Sequence, residues 1–101
     1  MSWATGYIER LRKGEMVSFR PRGHSMEGRI SSGNLCTVEP IPDHSKLEVG
    51  DVVLCKVKGS QYLHLIRAIS KSHFQIGNNR GHVNGWTSAA QIFGKLVKVE
   101  E

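Results

Sequence analysis

The sequence contains no apolar run close to the roughly 20 residues that a membrane-spanning helix needs. Its N-terminus has no basic stretch followed by an apolar segment, so we expect no secretory signal. Only two cysteines occur, Cys36 and Cys55, and both lie in apolar, strand-like runs, where a buried free thiol is the usual state. These features favour a cytoplasmic protein.

Motifs for two common kinds of chemistry are also missing. The sequence has no glycine-rich phosphate-binding loop with its lysine, which argues against nucleotide hydrolysis. It has no Cys-x-x-Cys and no histidine pair at the spacing of a helical metal site, although a metal site assembled from separate strands stays open. We therefore expect no cofactor. The histidines are His24, His44, His64, His73 and His82.

The net charge of +5 and the pI near 9.6 would favour approach to nucleic acid or to an acidic partner. The basic residues are scattered, however, and no basic block, aromatic nucleic-acid motif or zinc-finger spacing is present. A mildly basic surface without a nucleic-acid role is an equally good interpretation. The candidates for phosphate contacts are Arg20, Arg22, Arg29 and Arg80.

With 101 residues, of which 39% are hydrophobic, the chain is expected to form one domain over 1–101. Trp3 to Lys13 predicts a short helix that Gly14 ends. The apolar stripe of this helix is expected to pack on the core rather than to bind a partner. The stripe consists of Trp3, Tyr7, Ile8 and Leu11.

The rest of the chain predicts a mainly β fold. Val52 to Val57 and Gln61 to Arg67 flank the turn Gly59-Ser60, which is typical of a β-hairpin. The glycine- and asparagine-rich stretch from Gly77 to Trp86 predicts a loop, after which Thr87 or Ser88 could cap one helical turn through Ala90. Further strands are expected at Met16 to Arg20, Asn34 to Val38, Phe74 to Ile76 and Lys95 to Val99.

The stretch Gly23-His24-Ser25-Met26-Glu27-Gly28 carries the candidate chemistry. Flanking glycines permit positive φ and close approach of a ligand, and a serine held there could be a nucleophile. A polar turn between two strands is the alternative interpretation.

His64 lies in the middle of the hairpin's return strand. Alternation places Tyr62, His64 and Ile66 on one face of that strand. The histidine could be a half-buried structural residue, or a general base for Ser25 that needs a third group to orient it. Candidates for that third group are Asn78, Asn79 and Asn84.

Four motifs occur in a characteristic order: Gly23-His24-Ser25-Met26, Gly33-Asn34-Leu35-Cys36-Thr37-Val38, Gly50-Asp51-Val52-Val53 and Gly77-Asn78-Asn79-Arg80. In this order the chain, from about Phe19 to Val99, resembles the superfamily of signal peptidases and LexA-type self-cleaving repressors. The resemblance implies a compact coiled β-sheet or partial barrel of that type. It also implies that Ser25 is the nucleophile and that nearby backbone N–H groups, those of Ser25 and Met26, form the oxyanion hole.

The chain departs from this family at several positions. Most members pair the serine with a lysine where this chain has His64, whereas signal peptidases of the endoplasmic-reticulum type carry a histidine there. Asn78 and Asn84 stand at or near positions where those enzymes have aspartates, and Gly28 replaces a common proline. The membrane anchor of the peptidases and the helix-turn-helix domain of the repressors are not recognisable in this sequence.

Three hypotheses follow. The first is a minimal soluble serine peptidase, or a self-cleaving remnant, in which Ser25 attacks an extended peptide, His64 takes its proton and an asparagine of the late loop orients His64. The second is a catalytically silent relative that binds a peptide or protein in the same cleft. The third is a basic module associated with nucleic acid.

Overall fold

The computed structural model describes residues 3–101, so the first two residues of the expected domain lie outside this range. Within it, the chain forms one short α-helix and seven strands, in agreement with the mainly β prediction. The elements are α1 (Thr5–Arg12), β1 (Val17–Phe19), β2 (Leu35–Pro40), β3 (Val52–Val57), β4 (Ser60–Ser70), β5 (His73–Gly77), β6 (Val83–Ser88) and β7 (Ile92–Glu100), with 3-10 turns at His44–Lys46 and Ala89–Gln91.

The seven strands form one antiparallel sheet in the order β1-β2-β7-β3-β4-β5-β6. The central strand β3 is buried at every position except Lys56, as its continuous apolar run leads one to expect. Side chains on the two faces of the sheet therefore enter two separate cores. One core contains Leu54, Leu63, Leu65 and the buried face of α1; the other contains Val53, Cys55, Ile66, Phe74 and Ile76.

Helix α1 is held at its N-terminus by the hairpin. The residue before it, Ala4, has no side chain that could cap the helix, and its backbone N–H donates to Oε1 of Gln61 at 2.7 Å. The Gln61 amide nitrogen in turn donates to Oγ1 of Thr5 at 3.1 Å. Gln61 is a buried polar residue on β4, so this strand supplies the cap that the helix sequence lacks.

The β3–β4 hairpin fixes where His64 lies. Lys58 and Gly59 both have positive φ, which is the backbone requirement of a two-residue type I′ turn. The turn lies one residue earlier than the predicted Gly59-Ser60. The resulting register places Val53 opposite His64.

The predicted loop from Gly77 to Trp86 is only partly a loop. Its first half turns over residues 78–82, but the second half forms strand β6, which pairs with β5 at the edge of the sheet. Glycine and asparagine are disfavoured in strands, and cross-strand pairing overrides that preference here. Gly85 has φ +137°, and a Cβ there would lie 3.2 Å from Cγ1 of Val57, so β6 approaches the turn end of β3. The sheet therefore curls so that β6 contacts β3, although it does not close.

The expected cap on the following helical turn is absent. A 3-10 turn does begin after Ser88, but the Ser88 side chain makes no capping hydrogen bond. The Thr87 hydroxyl donates instead to the carbonyl oxygen of Lys56 at 2.8 Å. This bond ties β6 to β3 across the coil.

Candidate functional site

Ser25 lies in a tight, well-anchored loop directly after β1. Gly23 and Gly28 both have positive φ, as the sequence indicated, and they bracket the loop. The side chains of Met26 and Ile30 are buried in the core that contains α1, and the Ile30 N–H donates to the carbonyl oxygen of Met26. Ser25 itself is exposed. The loop therefore exposes Ser25 to solvent while Met26 and Ile30 anchor it to the core.

The hairpin brings His64 to this serine from 39 residues away. Nε2 of His64 lies 3.2 Å from Oγ of Ser25. The imidazole is half-buried and stacks on the ring of Tyr62, with a centroid separation of 5.0 Å. The two side chains thus share one face of β4, as the alternation predicted.

Asn84 on β6 contacts the other nitrogen of the same ring. Its Oδ1 lies 2.7 Å from Nδ1 of His64. An amide oxygen only accepts hydrogen bonds, so Nδ1 carries the proton and the lone pair of Nε2 faces Ser25. The three side chains form a continuous hydrogen-bonded chain in which Ser25 donates to His64 and His64 donates to Asn84.

The environment of His64 favours the neutral ring. Burial lowers the pKa of His64 below its usual value of 6.5, since desolvation disfavours the imidazolium. The hydrogen bond with Asn84 opposes this effect by raising the pKa, whereas the nearby His82 acts in the same direction as burial and lowers it. A neutral imidazole is the form that can accept a proton from serine.

Asn78, one of the asparagines considered as a partner of His64, forms no hydrogen bond with the imidazole within residues 3–101. Oδ1 of Asn78 accepts from the backbone N–H groups of Arg80 and His82 and so organises the β5–β6 turn. Asparagine commonly bonds the backbone in this way in turns. Of the two late-loop asparagines expected at the site, only Asn84 reaches the imidazole.

Asn79 has a different role from that of an imidazole partner. Its backbone N–H donates to the carbonyl oxygen of Ser25 at 3.0 Å, and its side-chain nitrogen donates to the carbonyl oxygen of Glu27 at 2.7 Å. The β5–β6 turn therefore clamps the serine loop from the outside. The sequence contains no local signal for this clamp, because its two ends are more than 50 residues apart.

The backbone N–H groups expected to form an oxyanion hole belong to Ser25 and Met26. Neither donates a hydrogen bond to any residue in 3–101. Their hydrogen-bonding capacity is therefore not used by the residues that the structure describes.

A cavity of about 500 Å³ opens beside Ser25 and His64. The packing predicted for the apolar stripe is confirmed, since Ile8 and Leu11 are buried and Tyr7 packs against the same core, but Trp3 and Tyr7 also line this cavity. The lining comprises Trp3, Tyr7, Phe19, Arg20, Pro21, Arg22, Gly23, Ser25, Met26, Ile30, Ser31, Gln61, Tyr62, Leu63 and His64.

The four arginines considered for phosphate binding do not form one patch of free guanidinium groups. Arg20 donates to the carbonyl oxygen of Gly33, and Arg29 donates to that of Gly50. Arg22 lines the cavity, whereas Arg80 lies on the exposed β5–β6 turn. Two of these side chains therefore brace loops of the protein itself.

Within residues 3–101, no group of three or more histidine, cysteine or acidic side chains could hold a metal ion. Both cysteines are free and buried, as predicted. Burial raises the pKa of Cys55 to about 12, so this thiol stays protonated. The cysteines are therefore core residues rather than parts of the site.

No model of a protein family matches the chain, and no curated protein matches it. In the part of the chain that the structure describes, no helix has the length and apolar character needed to span a bilayer.

Proposed function

We propose that the protein is a serine peptidase, which cleaves an extended peptide or transfers an acyl group from it. The observation that carries this proposal is the hydrogen-bonded chain from Ser25 through His64 to Asn84. A nucleophile, a base and a group that orients the base are the parts that acyl transfer by serine requires. The order of sequence motifs, which resembles that of signal peptidases and LexA-type repressors, supports the same assignment.

In the first half of the reaction, Oγ of Ser25 attacks the scissile carbonyl carbon while Nε2 of His64 takes its proton. The carbonyl oxygen gains negative charge, and the unpaired N–H groups of Ser25 and Met26 are the available donors for it. The tetrahedral species then collapses, the carbon–nitrogen bond breaks, and His64 returns the proton to the leaving amine. The product is an acyl ester on Ser25.

Water completes the cycle. His64 takes a proton from the attacking water, the ester bond breaks, and Oγ of Ser25 recovers its proton from the imidazolium. Throughout, Asn84 holds Nδ1 in the protonated form. Because an amide bears no charge, it stabilises the imidazolium less than a carboxylate would, and we expect a slower enzyme than one with aspartate at this position.

A fluorophosphonate probe followed by intact mass spectrometry tests the proposal. The wild-type protein should gain one phosphonyl group, and peptide mapping should place it on Ser25. Ser25→Ala should abolish the labelling. Ser31→Ala is the matched control, because Ser31 also lines the cavity but forms no hydrogen bond with His64, and it should label normally. Labelling that persists in Ser25→Ala would remove the peptidase proposal.

A peptide-binding protein without catalysis is the second candidate, and the amide at Nδ1 of His64 is the observation that favours it. In this case the wild-type protein would resist the probe, while Ser25→Ala and the wild type would bind a peptide equally well. Isothermal titration with both proteins distinguishes the two candidates.

A further inference from the structure

The cavity beside Ser25 has an aromatic wall. The rings of Tyr7 and Phe19 stack with centroids 4.5 Å apart, and Trp3 meets Phe19 edge-on at 5.6 Å. Trp3 remains 49% exposed although it is among the largest apolar side chains of the chain. An aromatic surface of this kind gains favourable contacts when a ligand side chain covers it.

The size and lining of the cavity indicate a bulky ligand group. About 500 Å³ lies within the range of pockets that enclose small ligands. Met26, Ile30 and Leu63 also line the cavity and add apolar contacts beside the aromatic wall. A methyl side chain would leave most of this space unfilled, whereas an aromatic or long aliphatic side chain would bury its surface there.

The charge at the cavity is of one sign. Arg20 and Arg22 line it, and no aspartate or glutamate of residues 3–101 does so. Neither arginine forms an ion pair with a carboxylate in that range. Arg20 uses one N–H on the Gly33 carbonyl, which fixes the guanidinium in place without neutralising it. An acidic group on the ligand would complement both charges.

We infer that the cleft selects an extended peptide with a large apolar side chain next to the bond presented to Ser25 and an acidic side chain close to it. The large side chain would cover the aromatic wall formed by Trp3, Tyr7 and Phe19, and the acidic one would pair with Arg20 or Arg22. This inference rests on the proposed function, because it names the substrate class of the same serine.

The test uses four tetrapeptide phosphonate esters, which react with an activated serine. They carry phenylalanine or alanine at the reacting position and aspartate or lysine beside it. The phenylalanine probes should label Ser25 at least about tenfold faster than the alanine probes, the difference expected for filling an apolar pocket. The aspartate probes should react faster than the lysine probes, and added salt should reduce that preference.

Two variants and two controls tie these preferences to the cavity. Trp3→Ala should reduce the phenylalanine preference, whereas Trp86→Ala, another half-exposed tryptophan outside the lining, should not. Arg22→Glu should reverse the charge preference. Lys46→Glu makes the same change in net charge at an exposed position outside this cavity and should leave the preference intact.

A binding experiment separates this inference from the proposed function. Fluorescence anisotropy measures how tightly dye-labelled, non-reactive peptides of the same four sequences bind to Ser25→Ala. Labelling of Ser25 without side-chain preference retains the serine chemistry and overturns the substrate class. Binding that depends on the peptide side chains, without any labelling of Ser25, supports the inferred peptide preference and overturns the proposal that the protein is a peptidase. Absence of both binding and labelling with every peptide overturns both.

Discussion

Oδ1 of Asn84 lies 2.7 Å from Nδ1 of His64, and this contact determines which ring nitrogen faces Ser25. A serine hydroxyl can transfer its proton only to an unprotonated nitrogen. In a serine peptidase triad the carboxylate both orients the imidazole and stabilises the imidazolium charge. The amide of Asn84 can orient the imidazole but carries no charge to stabilise the imidazolium. The two effects can be measured separately by changing Asn84.

Replacing Asn84 by alanine should lower the rate of Ser25 phosphonylation about 100-fold, because the ring loses its orienting acceptor. Asn84→Asp should keep the orientation and raise the pKa of His64, since a nearby carboxylate favours the imidazolium. NMR titration of the His64 ring protons measures that pKa. Asn34→Asp, at the far end of the serine loop, is the control and should leave it unchanged. An unaltered pKa in Asn84→Asp would contradict the contact.

The pH dependence of the protein should reflect the lowered pKa of His64. Labelling of Ser25 should be fastest with neutral His64 and should decline as the pH falls through the pKa of the folded state. The same shift affects folding stability. As the pH falls, His64 becomes protonated in the unfolded chain, at its usual pKa near 6.5, before it becomes protonated in the folded protein. The contribution of His64 to folding stability is therefore complete above pH 6.5 and is lost as the pH falls from there to the folded pKa.

Urea unfolding at about pH 7.5 and about pH 5 checks the second part of this prediction. His64→Gln removes the titrating group and should make stability less dependent on pH across this interval. Equal dependence in both proteins would show that other groups govern the acid response.

Asn79 is expected to position the nucleophile rather than to take part in the reaction. Asn79→Ala removes the bond to the Glu27 carbonyl, so it should cost about 1 kcal/mol of unfolding free energy and slow the labelling of Ser25. Asn34→Ala removes a hydrogen bond of similar length in the same loop that does not involve Ser25. It should reduce stability without slowing the labelling of Ser25. If both variants label at the same rate, the clamp has no influence on the site.

The hairpin shows how much of the architecture local patterns determine. The continuous apolar run predicts β3 from Val52 to Val57, and the Gly-containing turn predicts its return strand, both close to the observed bounds. Together with alternation, these elements place His64 on the correct face of β4. Strand β6 was missed because Asn84 and Gly85 carry no strand preference, and its edge pairing with β5 depends on contacts that no local window contains.

The order of the motifs is enough to predict which residues supply the nucleophile and the base. It does not predict which asparagine contacts the base, because long-range hydrogen bonds determine that. Ser25 and His64 were expected to meet, and they do. The choice between Asn78 and Asn84 depends on the β5–β6 turn, whose backbone N–H groups occupy the Asn78 side chain. The cap that Gln61 places on α1 joins residues 57 positions apart, so it follows only from the assembled fold.

Val53 is fully buried at the centre of the sheet, opposite His64. Val53→Asp should reduce the unfolding free energy by about 4 kcal/mol or more, enough to unfold many small domains, because a fully buried carboxylate would lose its hydration there. Val97→Asp is the matched control on β7, where valine is 47% exposed, and should change stability little. Circular dichroism melting curves compare the two, and a native-like transition in Val53→Asp would contradict the burial of β3.

Gly23 begins the serine loop with φ +115°, a backbone conformation that residues with a side chain rarely adopt. No atom lies within 4 Å of an added Cβ, so any cost at this position comes from the backbone rather than from a clash. Gly23→Val should cost about 1–3 kcal/mol of unfolding free energy and slow the labelling of Ser25 by displacing the loop. Gly6→Ala also has open space but lies within α1, where alanine should stabilise by about 0.5–1 kcal/mol. Urea unfolding should move these two variants in opposite directions, and a Gly23→Val protein as stable and as reactive as the wild type would show that the serine does not depend on this turn.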